Sequence, residues 1–343
     1  MFGRSAKPIR VQVFGKTDVG RSREHNEDRF LVADLTRKDA SLQPQVRQHD
    51  LGERGSLFVV ADGMGGAAAG ALASQMATDT IFAHLLKAWN AETEATPQRF
   101  AHRLKEAVEV ANANIHAHAK AHPEVRGMGT TTTAAGVLGD HLYLTQVGDS
   151  RAYLVRGGVA HQLTKDQSLM QRLVEAGELT EEEAAHSERR NIILQALGPD
   201  PKVKVDLTHQ DVRRGDVLVL CSDGLSGQVK KEEIAQIVTS ASDLAAACDK
   251  LIALANERGG PDNITVVMAR FDGDGLRSTG PQEEIGHQIY PLIDTETSTE
   301  PVPIYKGSRP PVPTRDARPR LMTVMLGALA VLVAVLWYFT RGR

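Results

Sequence analysis

Cysteine is scarce in this sequence of 343 residues, with only Cys221 and Cys248 present. Cys221 lies in an apolar run typical of a strand, and Cys248 lies in an alanine-rich run typical of a helix. Isolated thiols in such runs favour buried core residues of a reducing compartment over a disulfide pair. We therefore expect no disulfide.

An excess of basic charge is also absent, because 40 Lys and Arg residues stand against 43 Asp and Glu residues, for a formal net charge of −3. No stripe of basic residues interleaved with aromatic ones occurs, so we expect no nucleic-acid binding. The sequence contains no HExxH motif, so it gives no indication of a metal site formed by histidines. The hydrophobic content of 41% instead predicts a sizeable core.

The N-terminal segment, MFGRSAKPIRVQVFG, lacks the apolar run of a secretory signal. Residues 321–340, LMTVMLGALAVLVAVLWYFT, form a run without charge or proline that is long enough to cross a bilayer as a helix. Trp337 and Tyr338 lie near one end of the run, where aromatic residues favour the membrane interface. We expect a transmembrane helix rather than a buried core helix, with the large domain in the cytoplasm and only the RGR tail crossing.

A change of composition follows residue 271. Residues 272–320 contain eight of the fifteen prolines and few large apolar residues, as in GSRPPVPTRDARPR. Such a segment cannot bury enough apolar surface to fold, so we predict a disordered, proline-rich linker. The folded domain is then expected over residues 8–271.

Strands and helices are predicted to cluster separately within residues 8–271. Strand patterns cover residues 11–14, 30–34, 57–61, 131–138, 141–147, 152–155, 203–208, 217–221 and 264–271, and helical patterns cover residues 70–89, 98–121, 230–239 and 243–258. Hairpin turn signals and grouped helices indicate an α+β sandwich rather than alternating βαβ units. Two polar segments interrupt this order, a predicted surface loop at residues 36–56 and a charged flap at residues 163–198.

Acidic residues occur where these predicted strands begin or end. Asp62, Asp149 and Asp223 follow strands in VVADG, TQVGDSR and VLCSDGL, whereas Asp262 precedes a strand in GGPDNIT and the pair Glu27–Asp28 precedes one in REHNEDRF. Each site taken alone is typical of a turn, because Asp and Gly are favoured there. Five such sites taken together predict a cluster, because neighbouring strands bring their ends together.

Clustered carboxylates repel one another unless a cation or a proton neutralises them. With neither Cys nor His among them, the cluster favours a hard cation held by oxygen atoms, Mg²⁺ or Mn²⁺. The glycines that follow Asp62 allow a sharp turn and the close approach of a backbone carbonyl. Arg23, three residues before Asn26, has the planar fork that binds phosphate.

These motifs, RxxNED at 23–28, ADGMGG, MGTT, GDSR, SDGL and DNIT in this order, resemble the metal-dependent type 2C serine/threonine protein phosphatases. The resemblance covers residues 8–271. It implies a four-layer α-β-β-α sandwich in which two antiparallel sheets are flanked by helices.

The resemblance also implies roles for individual residues. Asp62 should bridge two metal ions, and the Gly63 carbonyl should bind one of them. Glu27, Asp223 and Asp262 should complete the coordination of the other ion, with Asp28 in support and Asp149 at a third, weaker ion that shares Asp223. Arg23 should bind the substrate phosphate, which a hydroxide between the metals attacks in line without a phosphoenzyme.

The sequence departs from the family pattern at two positions. Met64 stands where many eukaryotic members carry a histidine that donates a proton to the leaving group, and bacterial members often share this methionine. Because methionine cannot donate a proton, either a metal-bound water has to do so here or the leaving alkoxide departs with help from the metal. Gln167, in LTKDQS, stands where a histidine is common at the start of the flap.

The resulting hypothesis is a bacterial phosphatase of phosphoserine and phosphothreonine proteins at the cytoplasmic membrane, opposing a membrane serine/threonine kinase. Two alternatives stay open, a pseudophosphatase that binds phosphoproteins without hydrolysis and a phosphatase of an anti-sigma-factor antagonist. The presence of every expected acid favours an enzyme over the pseudophosphatase.

Overall fold

Fourteen strands and seven α-helices occur in residues 7–40, 47–280 and 284–292, which this computed structural model describes. The strands are β1 (Arg10–Asp18), β2 (Arg29–Asp34), β3 (Asp39–Ala40), β4 (Arg47–Asp50), β5 (Ser56–Ala61), β6 (Gly63–Met64), β7 (Gly129–Thr130), β8 (Thr132–Leu138), β9 (His141–Val147), β10 (Arg151–Arg156), β11 (Val159–Gln162), β12 (Asp206–Asp211), β13 (Val217–Cys221) and β14 (Ile264–Asp272). The helices are α1 (Ala67–His84), α2 (Pro97–Ala121), α3 (Leu169–Glu175), α4 (Glu181–His186), α5 (Asp223–Ser226), α6 (Lys231–Ser240) and α7 (Leu244–Glu257).

Two antiparallel sheets of six strands each form the centre of the fold. The first sheet has the order β11-β10-β13-β14-β1-β4, and the second has the order β12-β9-β8-β5-β2-β3. Helices α1 and α2 cover the second sheet, whereas α6 and α7 cover the first. The predicted sandwich of two antiparallel sheets with flanking helices is confirmed.

Strand β5 shows how the sequence produces these layers. Its side chains alternate between its two faces, as in any strand. Leu57 and Val59 pack against the helices over the second sheet, whereas Phe58 and Val60 pack into the core between the sheets. All four are fully buried, so an uninterrupted apolar run is needed here.

Both cysteines are buried and free, as predicted. The predicted surface loop at residues 36–56 is wrong in part, because β4 pairs with β1 at the edge of the first sheet. The pairing consists of backbone hydrogen bonds, which do not depend on the side chains. The polar sequence RQHD has no alternation of apolar and polar residues that would indicate a strand. Strand β12 also begins later than the predicted run at 203–208.

Residues 284–292, which we call the C-terminal strap, lie along β12. The Tyr290 amide donates to the Leu207 carbonyl at 2.9 Å, and the His209 amide donates to the Gln288 carbonyl at 2.9 Å. The Tyr290 ring meets the Tyr143 ring edge to face, with centroids 5.3 Å apart. The strap therefore belongs to the folded unit, beyond the boundary predicted at residue 271.

The rest of the predicted linker, apart from residues 272–280, lies outside the described residues. The predicted transmembrane helix at 321–340 also lies outside them. Among the helices that the structure describes, none has both the length and the apolar character needed to cross a bilayer.

Tyr290→Ala is expected to lower the free energy of unfolding by about 1–2 kcal/mol, because it removes the edge-to-face contact and part of the apolar burial. The adjacent Ile289→Ala is a matched control, since Ile289 is 73% exposed and should change stability by less than about 0.5 kcal/mol. Urea unfolding of the two variants measures both. Equal losses would show that the strap is not held by its aromatic side chain.

Candidate active site

Most of the predicted site residues line one cleft with a volume of about 280 Å³. The predicted residues on its wall are Arg23, Glu27, Asp62, Gly63, Asp149, Asp223 and Asp262. Met64, Thr131 and Asn263 also line it, together with Asn191 and Ile193 from the flap. Asp28 is the exception, since it is only 3% exposed and is not part of the cleft wall.

Antiparallel pairing in the second sheet brings two of the acidic segments together. Arg29, the first residue of β2, lies opposite Ala61, the last residue of β5. Asp28 and Asp62 are the next residues outward along these two strands. The predicted meeting of strand ends is confirmed for this pair.

The first sheet brings three further acids to the cleft in the same way. Cys221, the last residue of β13, lies opposite Arg151, the first residue of β10, and β13 also pairs with the start of β14. Asp223 follows β13, Asp149 precedes β10 and Asp262 precedes β14. The cleft therefore lies at one end of the two sheets, where strand ends of the first sheet meet strand ends of the second.

Two threonines fix the backbone at Asp62. The Thr131 amide and the Thr130 hydroxyl both donate to the Asp62 carbonyl, at 2.8 Å each. The Asp62 amide donates in turn to Thr131 Oγ1 at 3.2 Å. Thr130, Thr131 and the next residue, Thr132, are all buried.

Asp28 is held by hydroxyl groups from two distant segments. Its Oδ2 accepts hydrogen bonds from Ser222 and Thr265, at 2.7 Å each. Burial raises the pKa of Asp28 to about 7, although the two hydroxyls lower it and the charge of Asp223 adds to the rise. Its Oδ1 is buried and has no hydrogen-bond partner among the described residues.

Three acids of the cleft wall also have raised pKa values, because burial and the neighbouring carboxylates disfavour their ionised forms. Burial, followed by the charges of Asp28 and Asp223, raises the pKa of Asp62 well above its ordinary value. Burial, followed by the charge of Asp223, raises the pKa of Asp149 to about 8. Asp223 has a raised pKa for the same reason, first burial and then Asp262.

The donor set of the cleft fits a hard cation. Asp223 Oδ1, like the Asp28 oxygen, is buried without a hydrogen-bond partner in the described part of the chain, and buried carboxylate oxygens need a positive partner. Among the described residues, however, no three His, Cys, Asp or Glu side chains are grouped as closely as the ligands of one ion. The individual ligand roles therefore stay predictions.

Arg23 already has an acidic partner on the cleft wall. Its Nη2 lies 2.7 Å from Asp262 Oδ2, and its side chain is 51% exposed. The hydrogen bond and the charge of Asp262 raise the pKa of the Arg23 guanidinium. A cation that binds Asp262 competes with Arg23 for this carboxylate, and release of the guanidinium leaves it free for an anion.

Glu27 enters the cleft between two glycines. Its amide donates to Asn263 Oδ1 at 2.8 Å, and its carbonyl accepts from Ser74 in α1 at 2.6 Å. A Cβ atom on Gly63 would overlap the backbone of Gly70, and one on Gly70 would overlap Glu27 Oε2. Both glycines therefore allow the close approach of the Glu27 segment, the ADG turn and α1.

Gly70→Ala is expected to lower the affinity for Mn²⁺ by about tenfold, because the new methyl group displaces the Glu27 carboxylate. Helix propensity alone predicts the opposite sign for stability, a gain of about 1 kcal/mol. Calorimetric titration with Mn²⁺ and urea unfolding separate the two effects. The control is Ala68→Gly, an exposed position at the same end of α1, which reports helix propensity alone and should leave the Mn²⁺ affinity unchanged. If Gly70→Ala also leaves the Mn²⁺ affinity unchanged, the proposed contact with Glu27 is contradicted.

Three contributors to the site were not predicted from the sequence. Asn191 and Ile193 reach the cleft from the flap, where a bridge between Ser168 and Ile193 closes the chain back on itself. Gln167 bonds the backbone of Gly148, next to Asp149. No signal in the sequence identifies these partners, since each depends on how the flap returns to the domain.

Comparisons with known proteins agree with this arrangement. A family model described as protein phosphatase 2C matches residues 32–263. The serine/threonine phosphatase stp of Listeria monocytogenes is 38% identical over 258 residues, which cover 75% of this chain and 94% of that protein. The sequence resemblance is thereby confirmed.

Solved structures show the same fold. The serine/threonine phosphatase of S. agalactiae superposes with a TM-score of 0.66 at 34% identity, over 76% of this chain and 99% of that one. The catalytic domain of PstP, solved in complex with two manganese ions, gives a TM-score of 0.61 at 35% identity, over 77% and 99% of the two chains.

Proposed function

Because the chain belongs to the protein phosphatase 2C family, we propose that it is a metal-dependent phosphatase of phosphoserine and phosphothreonine proteins. The observation that carries the proposal is the cleft itself, in which five carboxylates face one half-exposed arginine. An anion enters such a cleft only when cations offset the carboxylates. A phosphoryl group then has both the cations and Arg23 as partners.

The acids are proposed to hold two Mn²⁺ or Mg²⁺ ions, as PstP does with manganese. Asp62 would serve both ions, the Gly63 carbonyl would bind one of them, and Glu27, Asp223 and Asp262 would complete the coordination of the other. Asp28 supports it from below, and Asp149 holds a third, weaker ion with Asp223. When bound, the ions activate water and offset phosphate charge.

The chain's own groups then orient the substrate. Arg23 forms the paired hydrogen bonds that its planar fork allows with two phosphoryl oxygens. Met64 lines the cleft but has no proton to give, so the leaving alkoxide takes its proton from water. Asn191 and Ile193 of the flap line the cleft, where they would contact the bound phosphoprotein.

We also propose attachment to the cytoplasmic membrane through residues 321–340, which is supported by the sequence alone. Anchoring raises the local concentration of membrane-bound substrates, which favours a membrane serine/threonine kinase and its targets. The position of the strap determines which truncation tests the membrane attachment. Truncation after residue 293 keeps the strap, whereas truncation after residue 271 removes Tyr290 and its contacts.

The chain truncated after residue 293 should hydrolyse a phosphothreonine peptide as fast as the full chain, yet dephosphorylate a kinase in vesicles more slowly. Equal rates on the kinase would contradict the tether.

The phosphatase proposal is tested by phosphate release from a phosphothreonine peptide in Mn²⁺ and after chelation. We expect release that requires the metal and that returns when Mn²⁺ is restored. Peptide binding without release at saturating Mn²⁺ would instead establish a pseudophosphatase.

A further inference from the structure

The side chain of Gln167 holds the peptide group next to Asp149. Its Oε1 accepts a hydrogen bond from the Gly148 amide at 2.9 Å. The backbone amide of Gln167 donates to the Gly148 carbonyl, also at 2.9 Å. Gly148 is therefore bonded on both sides by one residue.

The other end of the Gln167 side chain is anchored to β12 and the segment before it. Its Nε2 donates to Asp206 Oδ2 at 2.9 Å and to the Lys204 carbonyl at 3.3 Å. A carboxylate accepts hydrogen bonds only, so Asp206 fixes the amide with its NH₂ outward and its oxygen toward Gly148. Gln167 is thus a directed bridge from Asp206 to the loop that carries Asp149.

The Gly148 loop requires such support for two reasons. Gly148 has φ +100°, and a Cβ atom there would lie 2.7 Å from the Cβ of Thr131, so the loop is a sharp turn pressed against the floor of the site. Asp149, which is 8% exposed, lines the cleft together with Asp223. Hydrogen bonds to the Gly148 peptide therefore set the position of this buried carboxylate on the cleft wall.

The main chain of Gln167 extends the same connection to the flap. Its carbonyl accepts from the Leu194 amide at 2.7 Å, and the neighbouring Ile193 lines the cleft. The hydrogen bond to Leu194 does not involve the side chain of Gln167. A side-chain substitution therefore separates the support of the Asp149 loop from the support of the flap.

We propose that Gln167 is a positioning residue, which orients the Gly148 peptide from Asp206 so that Asp149 faces the cleft, where it would hold the weaker metal ion. The inference rests on the proposed function, since it assigns Asp149 to that ion. A residue that orients a ligand in this way affects metal affinity by about 10- to 100-fold.

The bridge explains which replacements should be tolerated. It needs one acceptor toward Gly148 and one donor toward Asp206. A neutral imidazole has one of each, so Gln167→His keeps both contacts. Gln167→Met has a similar length but no donor and only a weakly accepting sulfur, so it removes the bridge while keeping the volume.

Calorimetric titration of the full chain with Mn²⁺ tests the proposal. Gln167→Met should weaken the lowest-affinity Mn²⁺ site by about tenfold or more and leave the tighter sites within about twofold of the wild type. Gln167→His should restore the weak site at neutral pH. Gln171→Met is the matched control, because Gln171 is a nearby, half-buried glutamine whose side chain, among the described residues, bonds only Glu175.

Hydrogen exchange and kinetics provide further readouts. The Gly148 amide should exchange faster in Gln167→Met, and peptide turnover should fall at low Mn²⁺ and recover at high Mn²⁺, with KM unchanged. A lower melting temperature with unchanged Mn²⁺ affinities would overturn the proposal and leave Gln167 a structural residue. Wild-type protein that binds no Mn²⁺ would instead overturn the proposed function, so the two failures are distinguishable.

Discussion

Asp62→Asn is expected to lower kcat/KM for a phosphothreonine peptide by about 10³-fold or more, because it removes the one side chain proposed to serve both metal ions. Excess Mn²⁺ should not restore the rate. Phosphate release from the peptide at rising Mn²⁺ concentrations measures the effect. The exposed Asp79→Asn in α1 is the control and should retain the full rate.

The same substitution should have the opposite effect on stability without metal. Asp62 lies among carboxylates whose pKa values are raised by burial and by one another, and one neutral amide relieves that repulsion. Chelator-treated Asp62→Asn should therefore melt above the chelator-treated wild type. At 100 times its dissociation constant, Mn²⁺ should stabilise the wild type by about 2.7 kcal/mol. Equal stabilisation of the variant would contradict the role of Asp62.

Arg23→Ala is expected to lower kcat/KM by about 100-fold, because hydrogen bonds to a charged phosphoryl group contribute about 1.5–3 kcal/mol each. Arg23→Lys should recover part of this loss, since it keeps the charge but not the planar fork. Peptide kinetics at saturating Mn²⁺ measure both variants. The neighbouring Arg21→Ala should retain the wild-type rate.

The Mn²⁺ affinity of the variants distinguishes the role of Arg23 from that of the acids of the cleft. Removal of the guanidinium frees Asp262 from its contact at 2.7 Å, so Arg23→Ala should bind Mn²⁺ at least as tightly as the wild type. Loss of turnover with undiminished Mn²⁺ binding is the expected pattern. A parallel loss of both would show that Arg23 maintains the structure of the cleft rather than binding substrate.

The sequence was sufficient to predict the layers and the gathering of acids. The run at 57–61 has to be buried on both faces, which indicates two covering layers, and its end delivers Asp62. Antiparallel pairing then requires that the end of one strand lies beside the start of the next, as for Asp28 and Asp62. These are local patterns with a direct structural consequence.

Partners that come from distant segments could not be predicted. Ser222 and Thr265 bond Asp28 across separations of 194 and 237 residues, and serine or threonine occurs in many environments. Gln167 could be noticed as a departure from the family pattern, but its contacts with Gly148 and Asp206 depend on the path of the flap.

The domain boundary was missed for a related reason. Residues 284–292 are few and follow a polar segment, so composition favoured a disordered linker there. Their backbone hydrogen bonds with β12 and the packing of Tyr290 on Tyr143 depend on an exposed strand edge that is already formed. Segments that fold only against a completed domain have no pattern of their own.

The central claim is that the acidic cleft is a two-metal centre. Anomalous scattering from crystals soaked in Mn²⁺ tests it most directly. We predict two strong manganese peaks in the cleft, both next to the Asp62 carboxylate and one next to the Gly63 carbonyl, with Arg23 released from Asp262. A cleft without manganese at millimolar Mn²⁺, with the Arg23–Asp262 pair intact, would contradict the account.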